Sequence, residues 1–175
     1  MAEQSRRLFL ALWLAPALAE RLHQLAGEAH RECGGRIMRQ ETLHLTLAFI
    51  GAVVEDRLPE LLMVLGRVRV PRFHIRLDTV GHWAHNHILW AGCTEVPPAL
   101  LQLAADIRRE VAAIGLPVSG PAFVPHMTLL RKARTPYVPA VFEPLEWDVA
   151  EWALMESCLA PHGADYQRVA AWALD

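Results

Sequence analysis

The chain has 175 residues, with 17 Lys plus Arg against 19 Asp plus Glu and a formal net charge of −2. A chain of this length buries roughly 68 to 70% of the surface it exposes when unfolded, so one domain spanning 1–175 is expected. The 53% hydrophobic and 21% charged content excludes a disordered chain, and the near-neutral charge excludes global electrostatic capture of long nucleic acid. Cys33, Cys93 and Cys158 are far apart and form no CxxC pair, so neither a disulfide framework nor a zinc knuckle is suggested, and a reducing, cytoplasmic setting is expected.

In chain order, Arg6-Arg7 followed by Leu8 to Ala19 imitates a signal peptide. Against that reading, Pro16 falls where a helix would begin, and Leu18, Leu22, Leu25, Ala26 and Ala29 continue an apolar stripe at helical spacing. No segment reaches the ~18 apolar residues of a membrane span. The pattern predicts a strand at about 8–14, a helix at about 16–33 stopped by Gly34-Gly35, and a strand at about 43–50. A helix at about 57–68 and strands at about 73–80 and 87–92, joined by a turn near Asn86, come next. A third helix covers about 98–114, a short strand about 126–130, and the tail from Trp147 to Leu174 reads as a hairpin turning at His162-Gly163.

An offset of 82 residues carries Pro16 onto Pro98, Leu18 onto Leu100, Leu25 onto Ile107 and Ala29 onto Val111. The same offset carries His44 onto His126 and Thr46 onto Thr128, each pair in a His-x-Thr-x tetrapeptide. One half-domain used twice, approximately 7–51 and 88–132, accounts for all of these matches.

Side chains alternate along a strand, so His44 and Thr46 share one face and Leu45 and Leu47 the other; His126 and Thr128 oppose Met127 and Leu129 in the same way. If a pseudo-two-fold axis relates the halves, two imidazoles and two hydroxyls surround one small volume. In-line displacement at phosphorus needs a base beside the attacking oxygen and an acid beside the leaving one. Two histidines with ordinary pKa values of about 6.5 supply both. Threonine hydroxyls can donate to the non-bridging oxygens, and no metal or cofactor is required. Arg131 could add a bidentate phosphate contact, but strict alternation puts it on the wrong face unless the strand ends or bends at Leu130.

Arg7-Leu8-Phe9-Leu10-Ala11-Leu12, His44-Leu45-Thr46-Leu47-Ala48-Phe49-Ile50-Gly51, Phe123-Val124-Pro125-His126-Met127-Thr128-Leu129-Leu130-Arg131, and a tail with Ser157, Gly163, Tyr166 and Trp172 carry a family resemblance over nearly the whole chain. The sequence resembles the 2H phosphoesterases, specifically the bacterial RNA 2′,3′-cyclic phosphodiesterases also called 2′-5′ RNA ligases. The resemblance implies an α+β fold of two pseudo-symmetric lobes. Each is an antiparallel sheet with helices on its outer face, and the HxTx motifs lie on central strands lining a cleft. It implies hydrolysis of an RNA 2′,3′-cyclic phosphate to a 2′-phosphomonoester, with His44 as proton donor to the leaving 3′-oxygen and His126 as proton acceptor from water. Thr46 and Thr128 would hold the phosphate, Arg131 assisting, and the reverse reaction would give 2′-5′ ligation as a side activity. Sequence symmetry alone does not decide which histidine is the acid. The expected partner is an RNA with a 2′,3′-cyclic phosphate terminus or a small cyclic nucleotide, met by a monomer that binds no membrane.

Other readings weigh against these. A lone strand histidine is more often structural than catalytic, threonine is common in strands, and Arg131-Lys132-Ala133-Arg134 can be a solvated basic turn. His82, His85 and His87 suggest a transition-metal site, but they fall at a predicted turn without a nearby carboxylate or cysteine. Phe9, Trp83 and Trp90 can stack bases or belong to the core. Two rival functions follow: a non-catalytic RNA-end or nucleotide binding module, and a metal-dependent hydrolase built on the three loop histidines.

Overall fold

The computed structural model describes residues 4–120, 122–161 and 163–175. The first strand, β1 (Ser5–Trp13), is apolar on both faces: Leu8, Leu10 and Leu12 enter the main core, while Phe9 and Ala11 pack with Ala153 and Met155 on the opposite side. Residues 8–19 thus form most of β1 and the start of α1 (Pro16–Cys33). Pro16 opens α1 because the first helical N–H has no intrahelical partner to lose. Its stripe of Ala19, Leu22, Leu25, Ala26, Ala29 and Cys33 is buried, and Gly34 ends it.

A two-residue strand, β2 (Arg36–Ile37), and a 3-10 turn at Gln40–Thr42 lead into β3 (His44–Val54). A second 3-10 turn, Glu55–Arg57, precedes α2 (Leu58–Leu65). The single strand expected at about 73–80 is two, β4 (Phe73–Leu77) and β5 (Thr79–Trp83), in different sheets. Between them the Asp78 N–H donates to the Gly92 carbonyl and its carboxylate accepts the Thr94 N–H at 2.7 Å, so the chain crosses over at that residue. There follow β6 (Ile88–Gly92), α3 (Pro98–Ala113), β7 (Met127–Arg131), β8 (Leu145–Val149), β9 (Glu151–Ala160) and β10 (Gly163–Ala173). The expected tail hairpin is β9 and β10; His162, half of its predicted turn, lies outside the described residues.

The architecture is α+β with two four-stranded antiparallel sheets, ordered β10-β9-β1-β3 and β2-β7-β6-β5, and a β4-β8 ribbon. The lobes are interlocked. Helix α1 packs on β7 and β2 in the second sheet, and α3 packs on β3 in the first. The segment after each helix also bonds to the other lobe's motif strand: Met38 N–H donates to the Leu129 carbonyl and Ser119 N–H to the Phe49 carbonyl, each at 2.9 Å. Strand β7 is interior to its sheet, as expected of a motif strand. Strand β3 is instead the last strand of its sheet, and its central place comes from contact with β7 across the lobes. One continuous core runs through both lobes, from Leu12 and Leu22 to Leu103, Met127 and Leu129. Among the described residues no helix is long and apolar enough to cross a membrane.

Candidate active site

Each histidine stands at the start of its motif strand, and the carbonyl two residues earlier fixes its imidazole. On β3 the His44 Nδ1 lies 2.7 Å from the Thr42 carbonyl oxygen; before β7 the His126 Nδ1 lies 2.8 Å from the Val124 carbonyl oxygen. A carbonyl only accepts, so each Nδ1 carries a proton, and Nε2 is left as the atom able to take or give one. The two contacts are related by the same offset of 82 residues that relates the motifs. The His44 Nε2 lies 3.1 Å from Thr46 Oγ1, whose hydroxyl donates to the neutral ring and accepts from the protonated one.

The register explains how Arg131 reaches the site's face. In the β6–β7 pair, Leu89 faces Leu130 but Trp90 faces Thr128, so Leu129 is an extra residue. This bulge buries Leu129 and Leu130 in succession and returns Arg131 to the side of Thr128. The bend required for Arg131 therefore exists, one residue earlier than Leu130. On β3 the same slip occurs at Leu47, since Leu10 faces Ala48 and Ala11 faces Thr46. It brings Phe49, 50% exposed, to the position that Arg131 holds in the other lobe. The cleft therefore has a cationic wall on the β7 side and an apolar one on the β3 side.

Aromatic rings enclose His44. Trp13, its cross-strand partner, stacks on the imidazole with centroids 5.0 Å apart and planes 6° from parallel. Phe9 lies at 5.2 Å and Tyr166 meets the ring edge-on at 5.3 Å. This desolvation is the main reason that the His44 pKa is lowered to about 4; the Thr42 carbonyl opposes it, and the positive charges of Arg131 and His126 add to it. His126 has Trp83 edge-on at 4.5 Å. Burial lowers its pKa as well, with a further push from Arg131 against the Val124 carbonyl. Arg131 acts on both imidazoles and His126 acts on His44, so the three form one electrostatic group.

The structure brings the sequence-predicted residues together: His44 and Thr46 on β3, His126 immediately before β7, and Thr128 and Arg131 on β7, the strand that β3 contacts across the lobes. Trp13 joins the site without a mark in the sequence, because the uninterrupted apolar run at the end of β1 hides which of its faces turns toward the cleft, and Tyr166 reaches His44 from β10. The loop histidines do not assemble. His82 Nε2 lies 3.2 Å from the Ala133 carbonyl oxygen, while His85 and His87 sit in the exposed turn. Among the described residues no three His, Cys, Asp or Glu side chains converge as metal ligands. A separate groove lined by His74, Arg76, Asp78 and Thr94 contains none of the site residues.

The model of the family described as LigT like Phosphoesterase matches residues 12–90 and 92–164. The chain belongs to the LigT-like phosphoesterases. This family belongs to the 2H superfamily. The RNA 2′,3′-cyclic phosphodiesterase of Escherichia coli (strain K12) is 33% identical to this LigT-like chain over 172 residues, covering 98% of each. That of Thermus thermophilus is also 33% identical, over 91% of this chain and 86% of its own. The crystal structure of E. coli LigT complexed with 3′-AMP superposes with a TM-score of 0.88 at 32% identity, over 98% of this chain and 99% of that one.

Proposed function

We propose that this LigT-like phosphoesterase hydrolyses an RNA 2′,3′-cyclic phosphate to a 2′-phosphomonoester by acid and base catalysis from two histidines, without a metal ion. The observation that carries the reading is the matched pair of imidazoles, each with Nδ1 tied to the carbonyl two residues earlier, which leaves Nε2 of each ring as the atom that exchanges a proton. The names of its E. coli and T. thermophilus relatives support the substrate class.

In this mechanism His126 Nε2 takes a proton from water as the water oxygen forms a bond to phosphorus. The bond from phosphorus to the 3′-oxygen breaks opposite it, and the 3′-oxygen keeps the electron pair and receives the proton from His44 Nε2. Each proton transfer contributes about 10²- to 10⁴-fold. Thr46, Thr128 and Arg131 hold the phosphoryl oxygens, where donors are most effective as charge builds. Burial keeps the free His44 neutral, and the anionic substrate favours its protonated form. A ribose 5′-hydroxyl in place of water, with the 2′,3′-cyclic phosphate as acceptor, gives 2′-5′ ligation at the same site. The matching bulges and histidine contacts support an origin by duplication of approximately 7–51 and 88–132. The free thiols of Cys33, Cys93 and Cys158 suit the reducing cytoplasm.

The test is to incubate a short RNA ending in a 2′,3′-cyclic phosphate with the protein in excess EDTA and to identify the product. The expected product is the 2′-phosphate, with most activity lost in His44→Ala and His126→Ala while both stay folded. Unchanged RNA, or turnover only with added metal, overturns the reading; binding without turnover in the unaltered protein favours a nucleotide-binding module.

A further inference from the structure

Arg36 and Arg131 are direct cross-strand partners in the β2–β7 pair. Residues so opposed project from one face with Cβ atoms about 4.5–5.5 Å apart, and like charges there repel. Both are exposed, and among the described residues neither makes a hydrogen bond or ion pair. Arg39, three residues further on, is by contrast held by Asp165 at 2.5 Å and Glu41 at 3.4 Å.

The chain enforces this unfavourable pairing. Gly35 has φ +87°, and a Cβ there would lie 2.6 Å from the Arg131 carbonyl oxygen, so glycine is what lets β2 settle with Arg36 beside Arg131. The Arg36 guanidinium extends toward the other sheet, its Nη1 3.7 Å from where a Cβ on Gly163 would stand. Arg131 lies within electrostatic reach of both histidines, and Arg36 stands beside it on the neighbouring edge strand, one strand spacing of about 4.8 Å away. Two unneutralised guanidiniums side by side, one next to the reaction centre and one on the neighbouring strand, match two successive phosphates.

We propose that Arg36, with Arg131, forms a subsite for a second phosphate, the one on the 5′-oxygen of the nucleotide whose cyclic phosphate sits between the histidines. In an RNA chain this is the internucleotide phosphate. The inference rests on the cyclic-phosphate reading of the cleft and adds a reason for the site to prefer a strand end over a free nucleoside cyclic phosphate.

The experiment has a binding arm and a turnover arm. Calorimetry compares adenosine 2′-monophosphate with adenosine 2′,5′-bisphosphate, and kcat/KM compares adenosine 2′,3′-cyclic phosphate with its 5′-phosphorylated form and with the dinucleotide ending in the same cyclic phosphate. The expected preference for the second phosphate is about tenfold, discounted for an exposed site. It collapses toward unity in Arg36→Ala, is partly kept in Arg36→Lys, and persists in Arg76→Ala. Gain with both phosphorylated substrates assigns the subsite to a 5′-phosphate as such; gain with the dinucleotide alone assigns it to RNA. Turnover with no Arg36-dependent preference overturns the subsite and leaves the catalytic reading standing. An Arg36-dependent affinity ratio without any turnover does the reverse.

Discussion

Burial of His44 ties the stability of the fold to pH in a calculable way. Its pKa is lowered to about 4 in the folded chain from an ordinary 6.5, so below pH 6.5 the unfolded state binds a proton that the folded state refuses. The associated stability is fully present above pH 6.5 and is lost as the pH falls toward 4. The two proton affinities give a loss of about 2 kcal/mol at pH 5, approaching about 3 kcal/mol near pH 4. His44→Asn removes the titrating ring while its amide can still donate to the Thr42 carbonyl. Urea unfolding of both proteins, followed by circular dichroism at pH 7.5, 6 and 5, isolates the effect, because every other titrating group is common to the two. The wild type should lose about 2 kcal/mol relative to His44→Asn between pH 7.5 and 5. Parallel curves would refute the claim that Trp13, Phe9 and Tyr166 keep this imidazole dry.

The pH profile of kcat/KM should be a bell with its maximum below pH 6.5, since both histidines titrate below their ordinary value whichever is the acid; an alkaline maximum counts against the pair. Trp13→Leu should rehydrate His44 and move its limb of that profile toward neutral pH, whereas a uniform loss of rate with an unmoved profile assigns Trp13 to packing alone. Gly35→Ala combines a positive φ with a backbone contact of 2.6 Å and should cost about 2 kcal/mol or more, read as a lowered Tm; an unchanged Tm shows that β2 can move away from β7 freely.

The long elements and the histidine pair are legible in the sequence, and what depends on register is not. Helices α1 and α3 were legible because Pro16 and Pro98 open apolar stripes of several turns. Strand β2 is two residues long and exists only because Gly34-Gly35 turn the chain against β7, so no periodicity marks it. The run at 73–80 looked continuous because Asp78, a single polar residue, performs the crossover through hydrogen bonds that spacing does not reveal. His44 and His126 stood out through a repeated tetrapeptide, whereas Arg131 and Phe49 reach the cleft only through bulges that break alternation. The aromatic enclosure of His44 stayed hidden because β1 is apolar on both faces, so Trp13 carries no sign of which way it points.

The interlocking of the lobes has a consequence for how the chain folds. Because α1 covers the sheet of β7, α3 covers β3, and β9 from the far end of the chain pairs with β1 near its beginning, neither half has a complete core of its own. Contacts so distant in sequence raise the contact order, which slows folding and denies early fragments a stable resting state. Unfolding should accordingly be one cooperative event. A chain cut in the loop before Pro98 should regain structure only when both fragments are mixed, each supplying the roof that the other lacks.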